Sequence, residues 1–246
     1  MITVCQCLVL GLMTGTLIGM VGVGGVLLAP LLVWFLGMDM HLAMATCSWS
    51  FLFTGITGTV SYARKKSVSW QMVGWLAIGI MPGAMLGAKT NSVLSETALT
   101  VILALLIAFS GINTFFKQAD SDNPRTTVNY LLLILIGLGL GFGSALTGTG
   151  GPVLLIPFLF LMRVPVLTAI GVSQVIQLPI AVSATFGFYR HGNINFSLGT
   201  FLGVVQALGV ILGAYIAHSI STTALRRIVA VALIGVACFM LIFKVK

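Results

Sequence analysis

The sequence predicts an all-α polytopic membrane protein. It consists of two homologous halves of four hydrophobic segments, and the first segment of each half is broken at a glycine cluster. Three observations lead there. Of the 246 residues, 59% are hydrophobic and only 7% are charged, whereas a soluble domain carries about 25% charged residues. The mean hydropathy is +1.15, and the apolar residues come in runs; runs of about 18 or more read as membrane spans. The second half also repeats the first. At a fixed offset of 126, without a gap, 22 of 120 positions are identical.

In chain order, polar breaks leave apolar segments at 4–36, 42–62, 70–88, 97–116, 128–161, 166–189, 196–217 and 224–243. The first 20 residues hold no Lys or Arg. A cleaved secretory signal needs a positive start, so the opening run is expected to be the first helix. Segments 4–36 and 128–161 are too long for one span. Thirty-odd residues at helical rise reach about 48 Å, against a hydrocarbon core of about 30 Å. Each contains a glycine cluster, "GVGGVLLAP" at 22–30 and "GTGGPVLLIP" at 148–157. Each is therefore read as a helix, a glycine turn and a second, half-length helix of about eleven residues.

The polar connector "KQADSDNPRTT", Lys117 to Thr127, divides the chain. It separates a first membrane repeat, 1–118, from a second, 127–246, through a connector at 119–126, the whole forming one integrated transmembrane domain. Internal duplication is a mark of transporters, with parallel or inverted repeats. Crossing helices kinked at the breaks would make the repeats parallel, and re-entrant hairpins would make them inverted. The distribution of Lys and Arg, which sets orientation, fits both equally, so the topology stays open at this stage.

The repeat register superimposes Gly22, Gly24 and Gly25 on Gly148, Gly150 and Gly151, and Arg64 on Arg190. Irregular backbone at membrane depth survives only buried in protein or lining a cavity. A helix starting there aims free N–H groups and its positive dipole end at whatever fills the gap, which is the physics of an anion site. Pro152 suits a first helical turn, where its missing N–H costs nothing. Close helix packing through small residues is the alternative reading of such glycines. Thr149, between the glycines, could add a hydroxyl donor. Thr46, Cys47 and Ser48 lie in one span, and Ser173, Gln174 and Gln177 in its repeat partner. Such hydroxyl, thiol and amide groups bond an oxyanion without the desolvation cost of an ion pair, or serve as interhelical glue. Gly22, Gly24, Gly25, Thr46, Cys47, Ser48, Gly148, Thr149, Gly150, Gly151, Ser173, Gln174 and Gln177 are the candidate substrate contacts. Arg64 and Arg190 are candidate vestibule residues that attract anions.

Other classes find no support. All four acids, Asp39, Glu96, Asp120 and Asp122, fall at span ends or in connectors, which disfavours a carboxylate proton relay or a cation pathway. The net charge of +8 is scattered, with no basic face interleaved with aromatics for nucleic acid. Cys5, Cys7, Cys47 and Cys238 form no CxxC pair, and Cys5 and Cys7 project about 200° apart on a helix. No metal or other cofactor is expected. HExxH, GxSxG and Walker sequences are missing, so neither a hydrolase nor a self-contained ATP-driven pump is expected.

The stretches "GMVGVGGVLLAPLLV", "HLAMATCSWSFLFTGITGTVSYARKKSVSW" and "MPGAMLGA", repeated as "GTGGPVLLIPFL", "AIGVSQV", "YRHGNINF" and "LGVILGA", resemble the sulfite exporter TauE/SafE family, also called the TSUP family of anion permeases. The resemblance covers nearly the whole chain. It implies a multi-pass protein of the bacterial inner membrane that exports or imports sulfite, thiosulfate or organosulfonates. Its partners would be a small anion and the lipid bilayer, and a homo-oligomer is compatible with it. Cys47 and Ser48 stand where the family commonly has Thr-Ser, and Gln174 and Gln177 are polar where it is often apolar. A carrier of another small anion such as a carboxylate, or a non-transporting accessory subunit, are the alternatives.

Overall fold

A computed structural model describes residues 2–22, 24–91, 130–147, 151–162, 164–191 and 194–225, with positions 227, 228, 231 and 235 beyond them. Eight long or half-length helices make up most of this set, with further helical residues at 222–225, 227, 228, 231 and 235, and no strand occurs among the described residues. They are α1 (Ile2–Val21), α2 (Gly24–Leu36), α3 (Met40–Arg64), α4 (Trp70–Asn91), α5 (Tyr130–Thr147), α6 (Pro152–Leu161), α7 (Val166–His191) and α8 (Phe196–Ser219). The expected span 97–116, the connector at 119–126 and most of the expected span 224–243 lie outside the described residues.

Local chemistry sets the helix ends. The Asp39 carboxylate accepts from Leu42 N at 3.1 Å and caps α3. The Asn195 side chain does the same for α8 through Leu198 N at 3.0 Å, as N-caps do. Gly37 ends α2 at φ 61°, a left-handed value that glycine adopts without strain. Four spans run further than the sequence suggested: α3 covers Met40–Arg64, α4 reaches Asn91, α7 reaches His191 and α8 reaches Ser219. At two of these ends Asn91 and His218 bond to backbone carbonyls.

Both over-long segments are interrupted. α1 and α2 have 20 and 13 residues, and α6 has 10. At the first break Gly22 has φ 73°, and its N–H closes the last turn on Ile18 O at 2.9 Å. Gly24 then lies so close to Thr14 O and Ile18 N that a Cβ there would collide with both. Residues ten apart can meet this way only if α2 doubles back along α1. The first break is the tip of a hairpin, not a kink in a crossing helix.

Helix directions follow from the backbone contacts. Gly11, Gly15 and Gly19 of α1 meet Val205, Gln206 and Val210 of α8, so these helices run parallel. Gly79, Gly83 and Gly87 of α4 meet Ile134, Leu138 and Phe142 of α5, again in parallel. These are small-xxx-small seams that let backbones approach closely. α3 and α7 cross in the opposite sense, with Gly55 on Leu178, Gly58 on Gln174 and Gly171 on Ser67. α3 also packs on α8, and α4 on α7.

The outer surface is apolar. α8 turns Val204, Leu208, Ile211, Leu212 and Tyr215 outward, each half exposed or more, and α4 does so with Ile78, Met81 and Leu86. Such stripes suit lipid rather than water. Trp70–Asn91, Val166–Arg190 and Phe196–Ser219 are long and apolar enough to cross a membrane.

The glycine seams generate a test. A Cβ at Gly15 would collide with the backbone of Gln206, whereas one at Gly139 would meet nothing within 4 Å. Gly15→Ala should destabilise the detergent-solubilised protein by about 1–3 kcal/mol. Gly139→Ala should be neutral or slightly stabilising, given that Ala is favoured over Gly in helices by about 1 kcal/mol. Thermal unfolding of the two variants checks this.

Candidate functional site

The two breaks meet in the interior. A Cβ at Gly22 would collide with Ile156 Cδ1 and Pro152 Cβ, so the first hairpin tip sits directly on the first turn of α6. Gly151, the N-cap residue of α6, has φ 99° and is held between Ile180 of α7 and Ser144 of α5. Pro152 occupies the first helical position, as its missing N–H favours. Gly22, Gly24, Gly25 and Gly151 are all buried. Gly148, Thr149 and Gly150 lie outside the described residues.

A helix that stops inside an apolar bundle leaves carbonyls in its last turn without intrahelical partners, and each one left bare in hydrocarbon costs several kcal/mol. Three side chains reach carbonyls in these last turns. Gln174 of α7 donates through Nε2 to Ile18 O, which also accepts from Gly22 N. Tyr62 of α3 donates its hydroxyl to Gly19 O at 2.7 Å. Asn91 of α4 donates through Nδ2 to Leu146 O, in the last turn of α5, at 2.7 Å. With its amide nitrogen so used, Asn91 accepts at Oδ1 from His41 Nδ1 at 3.1 Å. At the opposite end His218 donates from Nδ1 to Ala214 O, its Nε2 lies 3.1 Å from the Ser67 hydroxyl oxygen, and its ring centroid is 4.9 Å from that of Tyr62.

The predicted contacts therefore divide. Gln174 supports the end of α1, and its carbonyl oxygen rests against Gly58. Gln177 donates through Nε2 to Thr54 Oγ1 at 2.7 Å, while its own Oε1 is buried with no hydrogen-bond partner. Thr46, Ser48 and Ser173 spend their hydroxyl protons on Leu42 O, Met44 O and Ala169 O, one turn back in their own helices, the usual habit of Ser and Thr inside helices. Thr46 Oγ1 also accepts from Asn195 N at 3.3 Å, which ties it to the start of α8 rather than to the breaks. Cys47 is a fully buried free thiol. Arg64 and Arg190 are both exposed, the latter with its guanidinium 4.7 Å from the Phe186 ring centroid. Because α3 and α7 run oppositely, the two arginines stand at opposite ends and share no vestibule. Among the described residues no group of three or more His, Cys, Asp or Glu could hold a metal ion.

Sequence reasoning missed Tyr62, Asn91, Thr54 and Ser144. Tyr62 and Asn91 sit near span ends, where polar residues look interfacial. Thr54 and Ser144 are single hydroxyls whose chain neighbours, Phe53 and Gly55, Gly143 and Ala145, carry no polar side chain.

A helical membrane bundle in which interrupted helices meet at buried, irregular backbone has the architecture of a membrane transporter. The chain belongs to the sulfite exporter TauE/SafE family, whose sequence profile it matches over residues 7–240. It is similar to a protein of Xylella fastidiosa (strain Temecula1 / ATCC 700964) described as a probable membrane transporter protein. They share 26% identity over 94% of this chain and 92% of the relative. It is also 26% identical to the probable membrane transporter protein YunE of Bacillus subtilis (strain 168), over 94% of each. A second Bacillus subtilis protein, probable membrane transporter protein YjnA, is 39% identical over 32% of this chain and 31% of its own length. No solved structure matches the chain. The protein is a membrane transporter.

Removing a clamp should loosen the bundle. Asn91→Leu strips the side-chain donor from Leu146 O, and Tyr62→Phe does the same at Gly19 O. Each should cost about 1–3 kcal/mol, the usual penalty for a buried polar group left without its partner. Thr90→Val, which removes only a bond back to Leu86 O, should change little. Thermal unfolding in detergent distinguishes the three.

Proposed function

We propose that this transporter carries a small sulfur-containing anion, such as sulfite, thiosulfate or an organosulfonate, across the bacterial inner membrane. The carrying observation is the contact of Gly22 with Pro152 and Ile156, which sets the first break against the start of α6 in the interior. Helix starts point their positive ends inward at such a place, and the glycines let a ligand approach the backbone. The buried polar side chains among the described residues are all neutral Ser, Thr, Asn and Gln, with no carboxylate. An anion meets no like charge there. The choice of a sulfur anion rests on the family.

The halves, 1–118 and 127–246, act in this reading as inverted repeats. Support comes from the opposite directions of α3 and α7 and from the exchange of partners between halves, α1 with α8 and α5 with α4. The seam glycines obey the same offset, Gly11 with Gly137, Gly15 with Gly141, Gly83 with Gly209 and Gly87 with Gly213. Rocking of one repeat against the other would open the junction to each side in turn.

The test is a flux panel in proteoliposomes with sulfite, thiosulfate, sulfate, a short sulfonate and a short carboxylate, with and without a pH gradient. Sulfur anions should outpace the carboxylate by at least about tenfold, which corresponds to about 1.4 kcal/mol of discrimination. Gly22→Leu, which forces a side chain into a left-handed backbone against Ile156, should abolish flux. Equal rates for carboxylates would overturn the substrate class.

A further inference from the structure

One side of α7 connects the two breaks. Gln174 reaches the end of α1 at Ile18 O. Six residues on, Ile180 packs against Gly151 at the start of α6. Gln177 lies between them at helical spacing, 1% exposed, with its amide nitrogen bonded to Thr54 Oγ1 and its Oε1 without a partner. Thr54 donates its own proton to Phe51 O at 3.2 Å, so it must accept from Gln177. This leaves the Gln177 carbonyl as a buried acceptor in want of a proton.

Buried polar atoms are ordinarily paired, and an exception calls for an explanation. Two other amide oxygens are also unpartnered, but their surroundings differ. Gln174 Oε1 is pressed onto Gly58. Gln206 lies in the α1–α8 seam, bonded to Thr14 Oγ1 and backed by Gly15. Gln177 lies along α7 between the residue that reaches the end of α1 and the one that meets Gly151. Ser144, whose hydroxyl is also buried without a partner, borders Gly151 from the other helix.

An anion that carries no proton gives an acceptor nothing. A monoanion that still holds a proton can donate it to Gln177 Oε1 while its remaining oxygens face donors such as the Ser144 hydroxyl. A monoanion is also far cheaper to bury than a dianion where the described residues bring no cation to hand. Among the described residues, the buried titratable side chains on the helices around α7 are Cys7, Cys47 and Tyr62, with Tyr62 committed to Gly19 O. His41, Arg64, Lys89 and Arg190 stand at helix ends. We propose that Gln177 is a specificity-determining residue that selects the singly charged, proton-bearing form of the transported oxyanion, hydrogensulfite rather than sulfite dianion. This rests on the sulfur-anion reading above.

The experiment measures initial flux in proteoliposomes across the pH range in which sulfite titrates, at fixed total sulfite. Methanesulfonate, a monoanion with no proton to donate, serves as the reference. Wild-type sulfite flux should follow the monoanion fraction, while methanesulfonate flux stays level. Gln177→Met keeps the length but removes the acceptor. It should lower hydrogensulfite flux about tenfold, the size of one good hydrogen bond, and leave methanesulfonate flux within about twofold. A merely structural role would lower both together, and that result overturns the proposal. So does wild-type flux that tracks the dianion or total sulfite, a measurement needing no variant. Absence of flux for both anions in the wild type would overturn the sulfur-anion reading itself, and the assignment of Gln177 with it.

Discussion

Three polar side chains, Tyr62, Gln174 and Asn91, reach across the bundle to carbonyls in the last turns of α1 and α5. The rest of the structure depends on these bonds. A helix that stops in an apolar interior exposes backbone polar groups that no lipid can satisfy. The interruption is tolerable only if another helix supplies a donor at the right height. Each clamp comes from a different helix, α3, α7 and α4, so the breaks also tie the bundle together.

The glycine seams make this reach possible. With Gly15 and Gly209 at the α1–α8 contact, and Gly83 and Gly141 at the α4–α5 contact, the backbones touch directly. One seam joins α1 to α8 and the other α4 to α5. Helix ends are thereby brought within one side-chain length of their clamps. Glycine does two jobs in this chain. At the seams it provides thinness, and at Gly22 and Gly151 it provides a left-handed backbone where the chain turns.

Much of the fold was legible in the sequence because membrane spans follow from length and apolarity alone. The break in segment 4–36 followed from arithmetic, and the helices duly stop at Val21 and restart at Gly24. The candidate site was legible only in part. Gln177 stood out as an amide in hydrocarbon, and its Oε1 is buried without a hydrogen-bond partner. Gln174 stood out for the same reason, yet its amide nitrogen holds the end of α1. Thr46, Ser48 and Ser173 looked like anion donors, but their protons turn back onto their own helices. Nothing in residue type separates these outcomes, since a hydroxyl reads alike whether it faces its own carbonyl or a ligand.

By itself the sequence determined what is local or additive: a membrane protein, the places where helices must stop and the scarcity of charge within the spans. Only the tertiary structure decided the rest. It made the first break a hairpin tip, because Gly24 packs against Thr14 and Ile18. It set α3 against α7 head to tail, which parts Arg64 from Arg190. It also placed Gly22 on Pro152 and Ile156. The reason is physical. Hydrophobicity tells a segment to enter the bilayer, but it is nearly the same on every side of these helices. Direction and partner are chosen by close packing and by which carbonyl each buried amide can reach.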